Sequence, residues 1–468
     1  MFKKIYLSFL LIIFLVGCQD WIDVSPKTEV KGDEIFRTED GFKSSLIGVY
    51  GRMTKSETYG KNLTFGFVEQ LVQRYDNYTV GMVPSDEDRA KIYDYNNNSE
   101  SKGRINVIWK EMYQTIANIN NLIVNLDKRG DDVILTKGYR NIIEGEAYGL
   151  RAYHYFDLLR LWGPIYSENP DALSLPWRNE LGYEKAPLIS ANEIVDNILS
   201  DLIHAELMLA DDPMNFGVDT EDSFLGYRKY RMNLMAVKAL MARVYLYAGD
   251  KANAAKYAKE VIDNSKLSLV TDNSKDVAFS GEALFNLNMY NMEERLMSDW
   301  KNTVNMNTEL WISTDNIRTV YDFYSTGLND IRYKNGYGFL HGSNQYMCRK
   351  YIGTHFEFKN VVPLIRLSEM YLILAESIEP EKSHTYINEL RNVRGISRSS
   401  NIGAGISEAE RIELLNKEYQ KEFFAEGQWF YFLKRHNIKT FYRCPVEEMR
   451  YYTLPIPDDE VEFGDVSE

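Results

Sequence analysis

The chain has 468 residues, enough to bury a sizeable core as one large body or as two to four domains. At 44% hydrophobic and 26% charged residues its composition is that of a globular protein, not a disordered chain. The 68 acidic residues exceed the 54 basic ones for a net charge of −14, which argues against a polyanion as the main ligand. Tyrosine, at 33 residues, outnumbers phenylalanine, at 22, and a ring with a polar tip suits wet binding surfaces as well as cores.

Lys3 and Lys4 precede an almost wholly apolar stretch over residues 5–16. Such a stretch suits the apolar region of a signal peptide and is too short to span a bilayer. Leu15-Val16-Gly17-Cys18 follows and resembles the bacterial lipobox, where cleavage falls before the cysteine and its thiol carries lipid. Residues 1–17 therefore read as a lipoprotein signal peptide and Cys18 as the lipidated residue of a soluble, tethered body. Two cysteines remain, Cys348 and Cys444. Export permits a disulfide between them, but two unpaired and mostly buried thiols are the favoured expectation. Their spacing is not that of a metal site.

The body reads as helix pairs. Ile105, Ile108, Met112, Ile116, Ile119, Ile123 and Leu126 recur at steps of three and four, one apolar face of a helix. The next helix covers about residues 137–162. Its end is apolar on almost every side, which predicts deep burial, and Gly163-Pro164 stops it. Ser190-Ala191-Asn192-Glu193 is a capping box opening a helix with Ile194, Ile198, Leu202, Ala205 and Leu209 on one face. Leu234, Val237, Met241, Val244 and Ala248 mark another, ended by Gly249-Asp250, and a short partner carries Ala254, Ala258 and Val261. This unit resembles a tetratricopeptide helix–turn–helix, with small Ala242 and Ala254 allowing close approach. Residues 364–377 pair with residues 385–394, ended by Gly395. A second capping box, Ser407-Glu408-Ala409-Glu410, starts a helix with Ile412, Leu415, Tyr419 and Phe423 and a stop at Gly427. Such pairs can stack into a solenoid core, though their spacing is too irregular for a regular array. Residues 57–104 and 263–354 break the helical pattern, and long irregular stretches of this kind are usually functional loops. The acidic tail from Asp458 reads as solvated surface.

Several segments taken in order resemble the SusD/RagB family of outer-membrane nutrient-binding lipoproteins of Bacteroidota. They are the lipobox with Asp20 and Asp23 behind it, IFRTEDGF at 35–42 leading to LIGVY at 46–50, and EAYGLRAYHYFDLLRLWGP at 146–164. ALMARVYL at 239–246, PLIRLSEMYLILAE at 363–376, EFFAEG at 422–427 and LPIP at 454–457 complete the set. The resemblance implies a mainly α, SusD-like fold. About four tetratricopeptide-like helix pairs would form a right-handed scaffold with a large, loop-rich ligand-binding face. It implies an N-terminal region over 18–262 and a C-terminal region over 263–468, together in one compact body. Asp20 and Asp23 resemble the acidic stretch that sends such lipoproteins to the cell surface, and the implied partner is a SusC-like TonB-dependent transporter. Arg151, Arg160, Arg366, Glu369, Glu376 and Glu426 lie on strongly apolar stretches. Buried or half-buried ion pairs explain them better than ligand contacts.

No nucleophile elbow, zinc-protease helix, P-loop or dinucleotide fingerprint is present, and the six histidines lack metal spacing. His154 reads as a core residue. No catalytic residue, cofactor, metal or nucleic-acid partner is expected. The family resemblance points to a non-catalytic, cell-surface glycan-binding protein that delivers nutrient to its transporter. A RagB-like peptide binder, a surface glycoside hydrolase and a structural adaptor remain as alternatives. A neutral sugar needs exposed rings for its C–H faces and short polar side chains for its hydroxyls, usually on loops. Tyr75, Asp76 and Tyr78 fit that composition in the first irregular stretch, and Trp300, Trp311 and Tyr324 fit it in the second. In starch-binding relatives the corresponding early loop region contributes to the glycan site. Core packing beneath long loops is the competing explanation for these rings.

Overall fold

The computed structural model describes residues 34–76, 92–182, 184–214, 222–300, 311–333, 338–341, 345–352, 355 and 358–463. Residues 1–17, Cys18, Asp20, Asp23, Tyr78 and the side chain of Trp300 lie outside what is described. In chain order the first half holds α1 (Glu39–Met53), α2 (Phe67–Leu71), α3 (Ser99–Asn125) and α4 (Tyr139–Trp162). A two-stranded pair follows, β1 (Leu173–Pro176) with β2 (Leu188–Ser190), and then α5 (Ala191–Met208), α6 (Leu234–Tyr247) and α7 (Lys251–Asn264). The second half holds β3 (Ala283–Asn288), α8 (Met292–Trp300), β4 (Trp311–Ser313), α9 (Thr314–Val320), β5 (Phe339–His341), β6 (Gln345–Cys348) and β7 (Val361–Arg366). It closes with α10 (Leu367–Ser377), α11 (Pro380–Val393), α12 (Glu408–Glu422), α13 (Gln428–Arg435) and α14 (Asp458–Phe463).

The helices form one continuous series of neighbours. α1 packs on α3, α3 on α4, α4 on α5, α5 on α6, α6 on α7, α7 on α10 and α10 on α11. Packing thus runs across residue 262 without a break, because α7 itself crosses it. This is the mainly α architecture expected. Local chemistry explains the ends of the elements. Ser190 Oγ accepts from Glu193 N at 3.2 Å while Glu193 Oε2 accepts from Ser190 N at 2.9 Å, so both capping contacts form at α5. Ser407 and Glu410 repeat the arrangement at α12. Gly145 of α4 lies where an added Cβ would sit 2.6 Å from Leu209 Cγ, so glycine there sets how closely α4 approaches the end of α5. Among the described residues no helix is long and apolar enough to cross a membrane.

Three expectations are corrected. Residues 364–366 do not open a helix; they end strand β7, which pairs antiparallel with β3. A continuous apolar run fits either element, and Pro363 lacks the N–H that an interior helix position needs. Gly427 does not stop α12, which ends at Glu422; with φ +76° it caps the start of α13. The two irregular stretches are not purely loops. The first contains α2. The second contains β3, α8, α9 and the antiparallel sheet β4–β6–β5.

Charge is carried into the core as ion pairs. Arg151 makes two parallel contacts of 2.7 Å to Asp201, and Arg243 contacts Glu369 at 2.6 and 2.5 Å. Arg160 pairs with Asp157, and Arg435 pairs with Glu376. Arg366 reaches Glu282 at 2.8 Å, Glu422 at 2.6 Å and Glu426 at 2.9 Å. Arg394 reaches the same Glu282 and Glu422 at 2.6 and 2.7 Å, and Arg332 adds Asp330 and Glu418 to the network. All six charged residues singled out on apolar stretches are therefore in ion pairs. Burial alone would raise the Glu422 carboxyl, but Arg394 and Arg366 hold it well below the ordinary carboxylate range. Cys348 and Cys444 are unpaired, and burial pushes the Cys348 thiol up to about 11.

Candidate functional site

Three distant segments meet at the corner between β4 and α9. The Asp76 backbone N–H donates to the Trp311 carbonyl at 2.7 Å. Its carboxylate accepts from Ser313 N at 2.6 Å and from Asn316 Nδ2 at 2.7 Å. Arg443, from the segment after α13, approaches the same carboxylate at 2.5 Å and also donates to the Gln73 and Tyr75 carbonyls at 3.0 and 3.3 Å. Tyr442 donates to Asn316 Oδ1 at 2.8 Å. The junction fixes where β4 begins and therefore where the half-buried Trp311 ring sits.

The rings expected to meet ligand divide sharply. Tyr75 is only 1% exposed; its hydroxyl donates to the Phe65 carbonyl at 2.7 Å and its ring meets Phe424 edge-on. It is a core residue in this structure, so the expectation of an exposed face there is corrected. The reason is its neighbourhood: α2 and the turn before α13 close over it, and the hydroxyl finds a carbonyl on its own segment. Asp76 is half-buried, and protein donors already engage both its carboxylate oxygens, so it positions the corner rather than offering free acceptors. Tyr324, by contrast, is 79% exposed. Its hydroxyl accepts from Arg318 Nη1 at 3.1 Å, and the Arg318 guanidinium lies 5.0 Å from the Phe323 ring centre and 5.8 Å from that of Tyr324. The structure thus brings Asp76 and Trp311 together, leaves Tyr324 presented by the turn after α9, and buries Tyr75.

Asn316, Tyr442 and Arg443 complete this corner, Arg318 instead holds Tyr324, and none of the four was picked out by sequence reasoning. Only the Asn316 position carries a local signal, since Ser313 caps α9 three residues earlier. A separate cleft of about 550 Å³ lies beside α3, lined by Trp109, Tyr113, Asn120, Pro176 and Arg178. Tyr113 donates to the Pro176 carbonyl at 3.0 Å and Asn120 to the Arg178 carbonyl at 2.9 Å, so these two polar groups hold the chain around β1 against α3. Among the described residues no group of three or more His, Cys, Asp or Glu side chains is arranged to hold a metal ion.

Comparison with known proteins places this geometry among relatives. A family model described as starch-binding, associating with the outer membrane, matches residues 20–246, and the model of the SusD family matches residues 343–461. Two SusD-like proteins of Formosa agariphila are each 26% identical, over 271 and 282 residues. The matches cover 56% and 58% of this chain and 46% and 48% of those proteins, so the chain spans about half the length of these curated relatives. Among solved structures, a SusD superfamily protein from Bacteroides thetaiotaomicron is similar with TM-score 0.70 at 21% identity, over 91% of this chain and 98% of that one. A SusD-like carbohydrate-binding protein from Bacteroides vulgatus is similar with TM-score 0.68 at 17% identity, over 91% and 96% of the two chains. At such identities these likenesses speak for the fold.

Proposed function

We propose that this chain, which belongs to the SusD/RagB family of Bacteroidota, captures a nutrient glycan at the outer membrane without chemically altering it. The observation that carries the reading is the β4–α9 corner. It holds a half-buried Trp311 with Asn316 and Tyr442 on a junction fixed by Asp76 and Arg443, and the turn after α9 adds an exposed Tyr324 held by Arg318. Rings of this kind stack on the C–H faces of a sugar, and the amide, guanidinium and hydroxyl groups bond its hydroxyls. The carbohydrate-binding description of the Bacteroides vulgatus relative supports the same ligand class.

Cys18 is the proposed lipid anchor, and a SusC-like TonB-dependent barrel is the proposed recipient, because a tethered binder needs a channel to pass its cargo on. The purified lipoprotein, run in native gels containing soluble starch, xylan or mannan, should be retarded by at least one polysaccharide without releasing new reducing ends. Trp311→Ala should weaken that retention about tenfold, equivalent to ~1.4 kcal/mol of contact. Retention by none of the polysaccharides, retention by peptides instead, or release of reducing ends would each overturn the reading.

A further inference from the structure

The turn over residues 225–231 reverses the usual order of a surface. Its arginines point inward, while Tyr227 points outward and Tyr230 is half-buried at the rim. Arg228 is fully buried, donating to Asp212 at 2.9 and 2.7 Å and pairing with Glu146. Arg231 is also buried and pairs with Glu146 at 2.7 Å. Glu146 takes a further 2.5 Å hydrogen bond from Tyr50, whose hydroxyl in turn accepts from Met232 N at 2.9 Å. Between these anchors Tyr227 stands 47% exposed with φ +53°, a left-handed backbone that disfavours bulky residues. Its ring lies 6.3 Å from that of Tyr230. Tyr290, just past β3, is 79% exposed. It is carried by a segment tied down at Met289, whose N–H donates to the Asn360 carbonyl at 2.7 Å.

These three tyrosines border one cleft of about 660 Å³, closed on its other side by α1. There Ile47 is 52% exposed and Gly51 leaves open space, since an added Cβ would meet nothing within 4 Å. The charged residues lining the cleft are already paired: Lys43 with Glu39 at 2.9 Å and Asp40 at 3.2 Å, and Arg231 with Glu146. Ser223 and Asn288 at its edge are exposed and uncharged. Rings with hydroxyl tips, neutral polar edges and no uncompensated charge suit a neutral ligand with apolar faces and many hydroxyls. They suit an anion or a cation poorly.

We propose that the cleft bordered by Tyr227, Tyr230 and Tyr290 is a second carbohydrate-binding site, separate from the β4–α9 corner, that holds another stretch of the same neutral polysaccharide. This rests on the glycan-capture reading given above. Two sites on one tethered body would retain a long chain better than a short one, because the second contact forms at high effective concentration.

The test uses the full-length lipoprotein in detergent, in native gels containing soluble starch, xylan or mannan. The double variant Tyr227→Ala/Tyr290→Ala should weaken retention by the polysaccharide that retards the wild type by roughly fivefold to tenfold, the scale of ring-face contacts. Gly51→Leu, which fills the cleft from the opposite wall, should weaken it comparably. Its melting temperature should not fall, because leucine is the better helix former at an exposed position. Unchanged retention in both variants overturns the second site. If Trp311→Ala still weakens binding in that case, glycan capture at the corner stands. A wild type retained by no polysaccharide removes both.

Discussion

The Arg366–Glu422 network and the Asp76–Trp311 corner handle polar groups in opposite ways. In the network, guanidinium and carboxylate groups from β7, α12, the turn before β3 and the end of α11 are fully buried, and each charge faces at least one opposite charge. At the corner, the polar groups lie near the surface and secure backbone, and in the turn after α9 the Tyr324 ring is left in solvent. The network belongs to the segments with the strongest sequence patterns, PLIRLSEMYLILAE and EFFAEG. The corner belongs to segments with hardly any. Between these two regions pattern strength follows burial, although Tyr75 shows that an irregular stretch can be buried as well. Buried positions are constrained by packing and charge pairing, whereas a ligand face is constrained mainly by its ligand.

Removing Glu422 is the strongest way to break that contrast. Its carboxylate faces Arg366 at 2.6 Å, Arg394 at 2.7 Å and Arg332 at 3.0 Å, all out of water. Glu422→Ala leaves three buried guanidinium groups short of one anion and should cost about 3–5 kcal/mol in urea unfolding. A loss below about 1 kcal/mol would mean that the network is not what holds these segments together. Tyr75→Ala should cost about 3 kcal/mol by the same measurement, through a core cavity and an orphaned Phe65 carbonyl. That result would place Tyr75 with the core although it adjoins the corner residue Asp76.

How much of the fold could be read in advance follows the same division. The caps at Ser190 and Ser407, the helix end at Gly163 and the pairing of six charged residues are encoded within a few positions or by charge on an apolar face, and each is present. Strand β7 was misread because Val361, Val362, Leu364 and Ile365 form an apolar run without a helical or alternating period. At the candidate site, Trp311 and Tyr324 were legible as rings in an irregular stretch, but the partners that shape the corner were not. Arg443 lies 368 positions from the Tyr75 carbonyl to which it donates, and no local pattern links the two. The Tyr227–Arg231 turn was passed over for another reason. Its run of Tyr, Arg and Lys does not say which residue faces in, and only the buried carboxylates Glu146 and Asp212 decide it.

A buried polar group without a counter-ion sharpens the comparison through pH. His154 on α4 is buried against Tyr59 and Tyr153, with Nδ1 2.7 Å from the Leu150 carbonyl and Nε2 without a partner. Burial lowers its pKa from 6.5 to about 4. The unfolded chain therefore binds this proton first as pH falls. The penalty is absent well above pH 6.5, grows below it and is complete near pH 4. It amounts to about 3 kcal/mol at 1.36 kcal/mol per pH unit. His154→Phe keeps a ring in place and should flatten stability between pH 6.5 and 4 relative to the wild type. Parallel pH profiles for the two proteins would show that the buried imidazole does not drive acid sensitivity.

The smallest expected change in stability lies at Tyr324, and there the contrast between core and ligand face becomes a measurement. The ring is 79% exposed, its hydroxyl is shared only with the surface residue Arg318, and its edge contact is with Phe323, which stays in place when it is removed. Tyr324→Ala should therefore shift unfolding by no more than about 0.5 kcal/mol, as for surface positions that close no cavity and leave no buried group unpaired. If the turn after α9 belongs to the ligand face, the same substitution should weaken polysaccharide retention several-fold in native gels, while Tyr324→Phe, which keeps the ring face, should retain most of it. A core residue shows the reverse, with stability lost in proportion to the cavity made. Tyr324→Ala that lowers stability by 2 kcal/mol or more, or that leaves retention at the wild-type level, would move Tyr324 out of the binding face and leave Trp311 as its remaining ring.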